Sequence, residues 1–262
     1  MTEMILANGL FKRYGSKWAV RDINFKVEAG EVFGYVGQNG AGKSTTIKML
    51  TGLLEPTRGN ALIGGFDIQK EPDRAKQLLG YLPEVSLFYK NMTAYEFLDF
   101  FGRLYGLKGN ELEDRIYWLL KVVQLEDDDK YIASYSKGMK QRLGLARALI
   151  HEPKVVFLDE PSSGLDPSGR KLIRKIIAKL GEGDRTVFLS SHDLHEISVL
   201  CDRAALIYKG EIKYCGDASN MESVWDEIVG SLEEDLVDEY DIYGDGNKGG
   251  KRRIAEVMVD AK

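Results

Sequence analysis

Three short stretches carry side chains that could do chemistry together. Residues 37–46 read GQNGAGKSTT. Residues 155–160 read VVFLDE, an apolar run that delivers two carboxylates at its end. Residues 190–192 read SSH, a histidine that closes a second apolar run, Thr186-Val-Phe-Leu189. The first stretch matches the pattern G-x-x-x-x-G-K-[ST], in which flexible glycines let successive backbone N–H groups turn inward on one anion. Gly37, Asn39, Gly40, Ala41, Gly42, Lys43, Ser44 and Thr45 make up the predicted cradle. Lys43 brings a full positive charge toward terminal phosphates, and the Ser44 hydroxyl is placed to hold Mg²⁺. The expected ligand is a nucleoside triphosphate.

The carboxylates divide the remaining work. Asp159 leaves the apolar run first and suits an indirect hold on Mg²⁺ through water. Glu160 is the candidate base that polarises an attacking water, a contribution of roughly 10²–10⁴ in rate. Two carboxylates after a strand are common in surface turns, and a lone histidine is more often structural. The phosphate loop in the same chain favours the catalytic reading of both. His192, at the carboxyl end of its own strand and level with Glu160, is expected to hydrogen-bond the terminal phosphate.

These groups need strands and helix starts to aim them. Glu31-Val-Phe-Gly-Tyr-Val36 reads as a buried strand leading into the glycine loop, and Ile47, Leu50 and Leu54 at helical spacing predict a helix after it. Val155–Leu158 and Thr186–Leu189 suit the centre of a parallel sheet, where ligands collect at the carboxyl ends. The first thirty residues look antiparallel, with Ile23-Asn-Phe-Lys-Val27 alternating in polarity, and hairpins are expected at Gly64-Gly65 and Lys209-Gly210. Helical periods dominate residues 87–135. The predicted fold is therefore α/β: a phosphate-loop NTPase with a mostly parallel core sheet, an antiparallel β subdomain and a helical lobe inserted at about 87–150. Domain 1–216 carries all the motifs. Residues 217–262 read as an acidic helical appendage with a glycine-rich break at 244–250.

Bulk properties narrow the partners. A net charge of −5 argues against a general nucleic-acid binder, and none is expected as a partner. Two cysteines, Cys201 and Cys215, are too few for a disulfide framework and lack metal-ligand spacing. Met1-Thr-Glu-Met-Ile-Leu has no signal-peptide character, and no apolar run approaches the length that crosses a bilayer, so the chain is expected in the cytoplasm.

The motifs in order resemble one family. The phosphate loop is followed by Tyr135-Ser-Lys-Gly-Met-Lys-Gln-Arg142, Leu158-Asp-Glu-Pro161, Ser163-Gly-Leu-Asp166 and His192. Over residues 3–216 this set looks like the nucleotide-binding subunit of an ABC transporter. The resemblance implies ATP with Mg²⁺, adenine stacked on Tyr14, and a signature loop at Ser136 and Gly138. It places Asp166 in the D-loop. It further implies a head-to-tail dimer with each ATP between one subunit's phosphate loop and the other's signature. By the same resemblance, the dimer is expected to drive a separate integral membrane subunit from the inner face of the membrane. Leu87-Phe-Tyr-Lys-Asn-Met92 is either its docking site or a buried turn. Two departures stand out. Lys137 replaces the first signature glycine, and Glu84 stands where the family has a glutamine, leaving it able to reach Mg²⁺ or a water but not to donate as an amide. Both resemble a drug- and polysaccharide-exporter branch, which implies export. The alternative, a soluble relative acting on ribosomes or DNA, fits poorly: there is one motif set and no sustained heptad repeat.

Overall fold

A computed structural model of the chain describes residues 2–125 and 130–228. It opens with two long strands, β1 (Glu3–Tyr14) and β2 (Lys17–Glu28), paired antiparallel. The alternation read at 23–27 is realised: Ile23, Phe25 and Val27 are buried while Asn24 and Lys26 face water. Strand β3 (Val32–Val36) then enters the core and runs into the glycine loop, which opens helix α1 (Lys43–Leu50). Strands β4 (Arg58–Ile63) and β5 (Phe66–Asp67) return to β1 and complete an antiparallel sheet ordered β2-β1-β4-β5. Their turn places Gly64 and Gly65 at φ 57° and 85°, the mirror-image turn geometry that matches strand twist.

Helix α2 (Pro72–Leu78) leads to β6 (Leu79–Leu82), the outer strand of a second sheet. The expected helical lobe follows as α3 (Ala94–Leu104) and α4 (Gly109–Val122), then α5 (Lys137–Leu149). Thr93 starts α3 with a reciprocal cap, accepting from the Glu96 N–H while the Glu96 carboxylate accepts from its own. Helix α5 also covers the sheet. At Gly80 of β6 a Cβ would collide with the Ala148 carbonyl, so the backbones of α5 and β6 touch.

The remaining elements are β7 (Val155–Asp159), α6 (Pro167–Gly181), β8 (Thr186–Ser191), α7 (Leu194–Leu200), β9 (Arg203–Tyr208) and β10 (Glu211–Asp217). They build a six-stranded sheet ordered β10-β9-β3-β8-β7-β6, parallel except for the closing hairpin β9–β10. Strands β3, β7 and β8 are buried at every residue, which is why they read as unbroken apolar runs. Phe25 of the antiparallel sheet stacks on Phe33 and Phe188 of the parallel sheet, with ring centroids 5.4 and 5.7 Å away. Aromatic packing of this kind adds about 0.5–1.5 kcal/mol per pair beyond burial and fixes one sheet on the other.

One compact unit spans Met1–Met221 and a second Glu222–Lys262. Ala218 and Met221 are fully buried in the first, so its core runs a few residues past position 216. Within the second, residues 222–228 are helical; the expected break at 244–250 lies outside the described residues.

A half-buried histidine joins the lobe to the sheet and gives stability a pH dependence. The His151 ring stacks on Tyr105 at 3.7 Å between centroids, and its Nε2 lies 3.1 Å from the Leu79 carbonyl, which assigns the proton to that nitrogen. Nδ1 is buried with no hydrogen-bond partner. Burial, with Arg115 nearby, pushes the His151 pKa down to about 4 from 6.5. The unfolded chain therefore binds the proton more readily, and stability falls as pH drops from 6.5 toward 4. The loss is expected to reach about 2 kcal/mol, allowing for the ring's partial hydration. Thermal melts at pH 5 and 7 check it: His151→Gln should flatten the difference, and an unchanged slope would contradict the assignment.

Candidate active site

The glycine loop is built by two different constraints. Gly40 and Gly42 sit at φ 81° and 114°, conformations that side chains resist. Gly37 was expected to need the same freedom, but its constraint is space, because a Cβ there would collide with the Ile207 carbonyl of β9. Gly42 caps α1 without any side-chain partner, which leaves the first-turn N–H groups open to an anion. Lys43 is buried at 6 % exposure. Its Nζ donates to the Gly37 carbonyl at 2.7 Å and to Gln38 at 3.3 Å. Glu160 Oε1 lies 3.1 Å from the same ammonium, close enough for an ion pair but outside hydrogen-bond alignment. The loop faces an open cavity of about 340 Å³ lined by residues 38–40 and 42–45, Ala19, Glu84 and Glu160. That volume lies in the range of small-ligand sites.

Strand register sets the floor. Asp159 of β7 pairs with Ser190 of β8, so the Ser190 hydroxyl donates to Asp159 Oδ1 at 2.7 Å. The Ser44 hydroxyl reaches the same oxygen at 3.3 Å. Burial pushes the Asp159 carboxyl above its ordinary value, and the two hydroxyls pull against that shift. Ser44 and Asp159 are hard oxygen donors, and Glu84 lines the same cavity. No group of three His, Cys, Asp or Glu among the described residues is placed to hold a metal ion by itself. This set fits Mg²⁺, which takes one or two protein oxygens and completes its shell with water and substrate phosphates.

Glu160 is held in a strained pose. Its φ is 49°, rare for a residue with a side chain, and its N–H donates to the Ser190 hydroxyl at 3.0 Å. The turn aims the carboxylate back over the cavity, where Oε2 lies 2.8 Å from His192 Nδ1. A buried carboxylate with a lysine on one oxygen and a half-exposed imidazole on the other is equipped to orient and deprotonate a water.

The other predicted residues fall in different places. Ala41 is buried under the loop. Tyr14 ends β1 exposed, with the Lys12 ammonium 5.6 Å from its ring, and it does not line the cavity. Ser136, Gly138 and Asp166 do not line it either. Ser136 caps α5 by accepting from the Met139 N–H, and Asp166 caps α6 by accepting from the Gly169 N–H. The Lys137 stem lies against Gly164. Leu87 and Tyr89 are exposed, whereas Phe88 packs on Phe97. Sequence reasoning missed Gln38, Ala19 and Ser190. Gln38 lies inside the recognised motif and was legible there; Ala19 and Ser190 reach the site through tertiary pairing alone.

The family model described as "ABC transporter" matches residues 20–163. This chain belongs to the ABC transporter ATP-binding family. It is 43% identical to the ABC transporter ATP-binding protein NatA of Bacillus subtilis, over 76% of this chain and 81% of that one. It is 40% identical to the linearmycin resistance ATP-binding protein LnrL of the same organism, over 83% and 70% of the respective chains. A solved structure described as the ATP binding subunit of an ABC transporter superposes with a TM-score of 0.76 at 31% identity, covering 88% of this chain and 93% of that one. The chain is thus an ATP-binding, ATP-hydrolysing transporter subunit. No helix among the described residues of this ABC subunit is long and apolar enough to cross a membrane.

Proposed function

We propose that two copies of this ABC subunit close head to tail around two ATP molecules and drive a separate membrane subunit toward export. The observation that carries the dimer is positional: Ser136 caps a helix start and Gly138 lies in its first turn, yet neither lines the chain's own phosphate cavity. A helix N-terminus with a hydroxyl is an anion site. A second copy supplies the anion it lacks at home, and Asp166 follows into the same interface. Tyr14 is exposed and offers adenine a ring to stack on.

At each site the loop N–H groups and Lys43 hold the β- and γ-phosphates. Phosphate charge then replaces Glu160 as the partner of Lys43, which frees Oε1 for the water. Ser44, Asp159 and Glu84 would hold Mg²⁺, which would supply positive charge against the phosphate oxygens. Glu160 takes a proton from the water as its oxygen bonds the γ-phosphorus. The bond to the bridging oxygen breaks and ADP leaves with that electron pair. His192, anchored through Nδ1, turns Nε2 to the γ-phosphate. Loss of the γ-phosphate contacts reopens the pair of subunits. Leu87 and Tyr89 give the membrane subunit an apolar hold at the lobe. Export is supported by the relative named for linearmycin resistance. The subunit works on the inner face of the membrane.

A mixing experiment tests the shared site. Ser136→Arg should leave ATP affinity within about twofold of wild type while cutting hydrolysis at least ~100-fold. Mixed with a Lys43→Ala variant, it should regain part of the rate, because one of the two sites then holds both intact halves. No recovery across mixing ratios, or full activity of Ser136→Arg alone, would remove the shared site.

A further inference from the structure

We infer that Glu196 is a positioning residue that holds the Glu160–His192 pair in register. Resting on the reading above, this assigns a task to a carboxylate that no motif marks. Glu196 lies in the first turn of α7 and is 2 % exposed. Its Oε1 accepts from the Ser162 hydroxyl at 2.7 Å, and its Oε2 accepts from the Ser191 hydroxyl at 2.9 Å. Ser162 stands two residues after Glu160, and Ser191 immediately precedes His192. One carboxylate thus ties together the segments that carry the base and its histidine.

The tie is anchored by two more residues. Arg174 of α6 donates through Nε to Glu196 Oε1 at 3.1 Å and through a terminal nitrogen to Asp193 at 3.3 Å. Asp193 caps α7 by accepting from the Glu196 N–H at 3.0 Å, and its own N–H donates to the Ser191 hydroxyl at 3.0 Å. Every oxygen of the buried carboxylate is satisfied, as a charge at this depth requires. Such closed networks rigidify what they join. The Glu160–His192 contact crosses between two strand ends, and neither main chain fixes both side chains. Asp166 caps helix α6, so Arg174 also links the helix after the proposed D-loop to the hydrolytic pair.

The test is a double-mutant cycle on full-length protein with Mg-ATP. Glu196→Gln keeps the size but loses the charge facing Arg174 and one acceptor. It should lower kcat about tenfold or more with KM for ATP within about twofold, measured well below the melting transition, which falls with the loss of the Arg174 ion pair. On a His192→Ala background the same change should alter the single-turnover rate less than about twofold, because the residue acts through that pair. Wild-type kcat in Glu196→Gln, or effects that multiply fully, would overturn the inference. Should Glu196→Gln fail to fold, Ser162→Ala and Ser191→Ala each remove one donor; each should lower kcat about threefold at constant ATP affinity, and unchanged rates in both would overturn it. His192→Ala turning over at the wild-type rate would instead sink the hydrolytic pair itself, and this inference with it.

Discussion

Glu160→Gln is expected to bind ATP about as tightly as wild type and hydrolyse it roughly 10²–10⁴-fold more slowly. The substitution keeps the shape of the side chain and its place at the end of β7, where φ is 49° and the N–H is held by Ser190. What it removes is basicity. An amide cannot take the proton of the attacking water, and the lost rate corresponds to about 3–5 kcal/mol of barrier. Binding is expected to be spared because the proposed phosphate holders, the loop N–H groups and Lys43, are unchanged. The change also removes the carboxylate that competes for Lys43 at 3.1 Å, so affinity is not expected to fall. Single-turnover hydrolysis beside a fluorescent-nucleotide titration measures both quantities. Turnover within tenfold of wild type would place the base elsewhere.

Lys43→Ala is expected to weaken ATP binding by at least ~100-fold, about 3 kcal/mol, the scale of a buried charge-assisted contact to phosphate. Two effects add. The cation proposed to meet the terminal phosphates is lost, and Glu160 loses its ion-pair partner and keeps the His192 contact alone. Truncating one member of a buried ion pair costs about 3–5 kcal/mol, so the melting temperature should drop as well. Titration of a fluorescent ATP analogue against folded variant separates the two losses. Affinity within about threefold of wild type would remove the phosphate-loop assignment.

Much of the fold was legible because its elements obey local rules. Strands β3, β7 and β8 are covered on both faces and so read as continuous apolar runs, while β2 is covered on one face and alternates. The hairpins announced themselves through glycines at positive φ. The site was legible where chemistry is continuous along the chain, as in Lys43-Ser44 and Asp159-Glu160. It was opaque where the fold brings separate segments together. Ser190 looks like any strand-end serine until the β7–β8 register sets it on Asp159. Glu196 gave no signal because its three partners lie on a loop, a strand end and another helix. Gly37 was read through conformational freedom, and the strand behind it, which no local pattern shows, turned out to require its small size. The resemblance marks Ser136 as a signature-loop residue, and the structure adds that it caps α5; the proposed signature role needs another copy of the chain.

The central claim is that one chain holds half of each reaction centre. Sedimentation velocity of Glu160→Gln with and without Mg-ATP is the test, since this variant is expected to bind nucleotide and hydrolyse it only slowly. Two-fold self-association that appears with ATP, disappears with ADP and is lost on adding Ser136→Arg is the expected result. A variant that binds ATP yet sediments as a single chain at every nucleotide concentration, with and without the membrane subunit, would contradict it.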